Sequence, residues 1–134
     1  MAVHLEFVVL GPPVSNQSPG PNLTIWRATI AGEATLHWPK PPLAGELKAI
    51  ILNFYEKLPS LDVDNMSKPI LDAMQNIVYI EDRQVVQAEL AHLKIGGVFM
   101  IMGVRPIIVN AIQSGSQFVY VRIEDSIDPF PLPK

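Results

Sequence analysis

Leu61-Asp62-Val63-Asp64-Asn65-Met66-Ser67-Lys68-Pro69-Ile70-Leu71-Asp72-Ala73-Met74-Gln75-Asn76 is the stretch on which the reading of this chain turns. Met66, Ile70, Ala73, Met74 and Ile77 recur at helical spacing, which predicts a helix over Asn65–Asn76. Pro69 is expected in its first turn, so that the regular helix begins near Ser67. Downstream, Val78–Ile80 reads as a short extended piece, Glu81-Asp82-Arg83 as a turn and Gln84–Ile95 as a strand. Upstream, Glu46–Tyr55 reads as a strand with Ile50, Leu52 and Phe54 on one face. Pro39, Pro41 and Pro42 separate it from a helix over Leu23–Trp38, whose apolar positions are Leu23, Trp26, Ile30, Ala34 and Trp38. Val3–Leu10 and Phe118–Ile123 are β-branched and apolar and read as strands. Arg105–Gln113 reads as a helix opening with Pro106. The expected class is α+β: a small single domain with a mixed sheet and two or three helices packed on it. Residues 1–125 would form that domain, and 126–134, with Pro129, Pro131 and Pro133, a loosely held tail.

Composition narrows the function classes. A chain of 134 residues, 49% hydrophobic, can bury a core without staples. It has no cysteine, which excludes disulfides and thiolate metal sites. The longest apolar run, Gly96–Val104, is too short to span a bilayer. The chain shows no signal-peptide pattern, so the Asn22-Leu23-Thr24 sequon is expected to be coincidental and the protein cytoplasmic. The net charge of −3 is a poor footprint for tight non-specific DNA binding. The acids are unevenly spread, however. Asp62, Asp64, Asp72, Glu81 and Asp82 are five of the thirteen.

Such a cluster can mark a metal site. If Asp62-Val63-Asp64 is extended, its two carboxylates face one spot while Val63 buries itself. Two carboxylates at one spot resist joint ionisation, and a divalent cation removes that penalty. Hard oxygen donors suit Mg²⁺ or Mn²⁺. The return of the chain through Ile77–Ile80 is expected to bring Asp82 beside Asp64. The bland alternatives are equally concrete. Asp64 is well placed to cap a helix, and Asp82 suits an ordinary turn. Lys68 is placed to stabilise phosphate charge, or simply to pair with Asp72 four residues on. A calcium EF-hand is excluded, because Ser67 and Ala73 stand where its glycine and closing glutamate belong.

Residues 61–74 resemble the RusA family signature: a D-x-D-N, a lysine three residues later and an L-D-A-L-like helix. Val78-Tyr79-Ile80-Glu81-Asp82-Arg83-Gln84-Val85-Val86 is similar to the family's second motif, an acidic pair followed by x-Q-V. The opening strand with Gly11-Pro12-Pro13, and Lys94 ending a strand, extend the likeness over about residues 5–94. The resemblance implies a RusA-like fold and a homodimeric, Mg²⁺-dependent endodeoxyribonuclease. Such an enzyme resolves four-way (Holliday) DNA junctions by paired nicks in recombination and repair. It implies Asp62, Asp64 and Asp82 as metal ligands and Lys68 as an essential basic group, with Asp72 a helix-surface residue or outer partner. The chain departs from the family in its loops. No basic residue stands in Pro12–Asn22, and only Lys57 precedes Asp62 closely. Arg27, Lys57 and Lys94 are the leading DNA-contact candidates, with Lys48 and Arg105 behind them. Phe99-Met100-Ile101-Met102 is expected to pack either at a dimer interface or in ordinary core. Two other readings stay open. One is a junction-binding or structural protein that does not cut. The other is a metal-dependent phosphodiesterase acting on another nucleic acid.

Overall fold

The computed structural model describes residues 2–59 and 61–134. Its elements are β1 (Val3–Leu10), α1 (Gly20–His37), β2 (Leu47–Tyr55), α2 (Val63–Ala73), β3 (Val85–Lys94), α3 (Pro106–Gln113) and β4 (Phe118–Asp125). A single 3₁₀ turn, Asp82–Gln84, leads into β3. The four strands form one sheet in the order β1-β4-β2-β3. β4 is antiparallel to both its neighbours, whereas β2 and β3 are parallel. Parallel neighbours need a crossover, and α2 supplies it. The class is α+β, with one βαβ unit, β2-α2-β3, set into an otherwise antiparallel sheet.

Strand alternation divides the sheet into two faces. One carries Phe7, Leu47, Ala49, Ile51, Val121 and Ile123, all buried. Trp26, Ile30 and Ala34 of α1, Met66 and Ile70 of α2 and Met74 just after it cover it. The opposite face carries Phe54, Phe118 and Tyr120, covered by α3 and Phe99. Ile50 and Leu52 join Phe54 on this second face, as the alternation predicted, but the deeper core lies on the other side of β2. Phe54 and Phe118 stack with centroids 4.5 Å apart.

Two helices begin earlier than expected. α1 starts at Gly20 rather than Leu23, with proline in its first two positions. Proline fits there because its missing N–H would be unpaired in any case. α2 starts at Val63, which leaves Pro69 inside the helix rather than in its first turn. Pro69 forfeits one backbone hydrogen bond, yet its ring is buried beside Met66 and Ile70. The apolar face outweighs the lost bond. After β4, Ile127 is pinned to β3 by both its backbone groups: its N–H donates to Gln87 Oε1 (2.7 Å) and its carbonyl accepts from Gln87 Nε2 (2.9 Å).

Candidate active site

The site grows from the two ends of α2. Asp62 is the residue that caps its N-terminus, with extended backbone (φ −71°, ψ 157°), and Val63 and Asp64 already lie in the first helical turn. The expected strand-like alternation of Asp62 and Asp64 therefore does not hold, because helical residues two apart point away from each other. Both carboxylates nonetheless stand at the helix's positive end, where the dipole favours anions. A capping aspartate normally accepts a hydrogen bond from the helix's first N–H groups. Asp62 makes no such bond, and its side chain has no hydrogen-bond or ion-pair partner among the described residues. The ordinary capping role is thus unfilled at the position best suited to it.

One and two turns further along, Lys68 and Asp72 follow Asp64 on the same helical stripe. Lys68 Nζ donates to Asp72 Oδ1 (2.9 Å) and to Asp82 Oδ2 (3.0 Å). The chain's return thus brings Asp82 against Lys68 and Asp72. Asp62 and Asp64 make no hydrogen bond or ion pair with this trio among the described residues. Nor do three carboxylate or imidazole groups converge as a metal cage among them. The Lys68 ammonium, hydrogen-bonded to Asp72 and then to Asp82, is held above the usual lysine range. Asp82 is held below the usual carboxylate range, first by its hydrogen bond to Lys68. All three groups face water, so these bonds orient more than they stabilise: exposed pairs contribute ~1 kcal/mol or less.

The turn carrying Asp82 is fixed from a distance. Gln84 Oε1 accepts from the backbone N–H groups of Ile80 (2.9 Å) and Glu81 (3.1 Å). Its Nε2 donates to the carbonyls of Leu43 (2.9 Å) and Gly45 (3.1 Å), just ahead of β2. Gln84 was legible only as part of a motif; its bonding shows what the motif's glutamine does.

Of the DNA-contact candidates, Arg27 lies at this site. Its Nη2 is 3.6 Å from Asp72 Oδ2 and donates to Asn16 Oδ1 (3.1 Å) in the loop after β1. A cation from α1 thus serves the loop that lacks one. Lys57 and Lys94 sit where the parallel strands end: Lys94 pairs in register with Tyr55, two residues before Lys57. Both are exposed and form no ion pair among the described residues. Lys48 and Arg105 are occupied, the first near Glu89 and Glu124, the second on Glu6 at 2.8 Å.

The family model for endodeoxyribonuclease RusA matches residues 20–100. The chain belongs to the RusA family. The match spans α1 through β3 and so contains Arg27, Lys57, Asp62, Asp64, Lys68, Asp72, Asp82 and Lys94; β1, α3 and β4 lie outside it. No curated protein matches this chain. RusA membership makes the spread of acids along α2 a nuclease question rather than one of surface charge. The carboxylate oxygens of Asp62, Asp64 and Asp82 are the donor type a hard divalent ion takes, and they are exposed or half-exposed, but the three are not gathered into one cage among the described residues. No helix is long and apolar enough to cross a membrane among the described residues.

Proposed function

We propose that this chain is a Mg²⁺-dependent endodeoxyribonuclease that resolves four-way DNA junctions by paired nicks and works as a homodimer. The observation that carries the reading is the uncapped Asp62 carboxylate at the start of α2, within the stretch that matches the RusA family. Asp62, Asp64 and Asp82 would hold the ion, with Mn²⁺ an acceptable substitute. When bound, the ion supplies Lewis-acid stabilisation of phosphate charge and acidifies water. Lys68 donates to the non-bridging phosphate oxygens as charge builds on them. Arg27, Lys57 and Lys94 hold the phosphate backbone and set its register over the site. Water attacks phosphorus to form a new P–O bond, the bond to the leaving oxygen breaks, and the proton that the water gives up is balanced by the one the departing oxygen takes up. Incubation with labelled four-way, duplex and single-stranded DNA tests this. Paired, symmetric cuts of the junction are expected with Mg²⁺ and none with chelator. Retarded mobility without any product favours the non-cleaving reading instead, and cleavage confined to unbranched nucleic acid removes the junction assignment.

The dimer rests on the second face of the sheet. Met100 and Met102 are almost fully exposed and Ile101 is largely so, which removes the ordinary-core reading for these three; Phe99 packs against Phe54 in the core. Met100 and Ile101 line an apolar groove of about 460 Å³ together with Leu52, Phe54, Leu93 and Ile112. An apolar ridge beside an apolar groove is self-complementary under a two-fold axis, and a two-fold pair of sites matches a junction's own symmetry. Sedimentation at micromolar concentration is expected to give a dimer. Met100→Asp with Met102→Asp is expected to raise the dimer dissociation constant at least ~30-fold, the effect of losing a ~2 kcal/mol anchor. A wild-type monomer at high concentration rules the interface out.

A further inference from the structure

Asn53 interrupts the apolar run Ile-Ile-Leu-Asn-Phe of β2 and is only 2% exposed. A buried amide costs about 1–3 kcal/mol unless it is hydrogen-bonded. Its partner is the residue directly opposite on parallel β3: Asn53 Nδ2 lies 3.0 Å from His92 Nδ1. The other nitrogen of that ring, His92 Nε2, lies 3.0 Å from the Leu61 carbonyl oxygen. A carbonyl only accepts, so Nε2 carries the proton. Nδ1 then accepts from the Asn53 amide N–H. One chain of two hydrogen bonds therefore runs from the middle of the sheet to the peptide group that joins Leu61 to Asp62.

That peptide group sets where Asp62 points. It is planar, so fixing the Leu61 carbonyl also fixes the Asp62 N–H and the direction in which the chain enters α2. Asp62 has no side-chain capping bond of its own, so the backbone sets the direction of its Cα–Cβ bond, and with it the space its carboxylate sweeps. We propose that His92, oriented by Asn53, is a positioning residue that fixes the aim of the Asp62 and Asp64 carboxylates through the Leu61 carbonyl. The inference rests on the reading above, in which those carboxylates hold a divalent ion. His92 does not touch substrate or ion; it acts through a carbonyl two bonds from the nearest ligand residue's Cα.

The experiment measures Mn²⁺ affinity of the full chain by electron paramagnetic resonance, beside the Mg²⁺ dependence of junction cleavage. For His92→Leu, we expect Mn²⁺ binding weakened about tenfold, within the range seen when outer partners of metal ligands are replaced. The Mg²⁺ concentration for half-maximal rate rises by a similar factor, while junction binding in chelator stays at the wild-type level. His92→Gln keeps an N–H within reach of Leu61 and restores most of the affinity; a purely structural role would not distinguish the two in this way. Asn53→Ser, a milder change, releases the ring and weakens Mn²⁺ severalfold, which keeps the test alive should His92→Leu fail to fold. Wild-type affinity in both His92→Leu and Asn53→Ser overturns the proposal alone. A wild-type chain that binds no Mn²⁺ overturns the divalent-ion reading, and this inference with it.

Discussion

Asp64→Asn is expected to lower single-turnover junction cleavage at least about a thousandfold while leaving the fold intact. The two halves of that expectation have separate causes. Amide replaces carboxylate at nearly equal size, so packing is untouched. Asp64 lies in the first turn of α2, and losing its charge there forfeits ~0.3–1 kcal/mol of interaction with the helix dipole. Its side chain holds no other group among the described residues; the bond from Ser67 Oγ (3.0 Å) goes to its backbone carbonyl. Activity is another matter. In the proposed site Asp64 contributes one of three negative charges that bind the ion. The ion's stabilisation of phosphate charge amounts to several kcal/mol, and a factor of a thousand corresponds to about 4 kcal/mol. Fluorescently labelled junction under single-turnover conditions reads the rate. Mobility shift in chelator and circular-dichroism melting confirm that binding and folding persist. A rate within tenfold of wild type would remove Asp64 from the ligand set.

Legibility in the sequence followed the range of the interaction. Patterns of four to ten residues gave the strands well: β1 runs over the expected Val3–Leu10, and β3 and β4 shift by only one or two residues at their ends. The start of α2 was misplaced because a rule about one residue, Pro69, was weighed without the burial that only the folded core supplies. With that start went the expected alternation of Asp62 and Asp64. The Lys68–Asp72 pair was legible, being four residues apart on one helix. That Asp82 shares the same ammonium was not, because its turn is held by Gln84 from carbonyls about forty residues upstream. The Asn53–His92 pair depends wholly on the parallel register of β2 and β3, which no local pattern encodes. A single polar residue inside an apolar strand was its only trace.

Tyr79 ties these levels together, and its truncation is expected to have the largest effect on stability. The side chain is fully buried, and its hydroxyl donates to the Leu71 carbonyl at 2.6 Å. Its backbone bridges to Leu43 and Gln75, and its carbonyl accepts from the N–H of Asn76 (2.6 Å), a residue with left-handed φ of 65°. This knot reverses the chain after α2 and delivers Asp82 to Lys68. Tyr79→Ala empties a large core volume and is expected to cost about 3–5 kcal/mol, a large part of the 5–15 kcal/mol typical of a whole domain. Tyr79→Phe keeps the ring and loses one hydrogen bond, at about 1 kcal/mol. The loss stays small because Leu71's carbonyl still accepts from Met74 N–H at 3.3 Å. Burial first, then the charges of Asp82 and Asp72, push the phenol far above its usual range. It stays neutral at every working pH, so neither variant's cost should vary with pH through this group. Urea unfolding followed by circular dichroism reads both. Tyr79→Phe should cut junctions at close to the wild-type rate, whereas Tyr79→Ala should lose folded protein and activity together. A Tyr79→Ala chain within 1 kcal/mol of wild type would mean that the reversal is held by its backbone bonds, and the ring merely fills space.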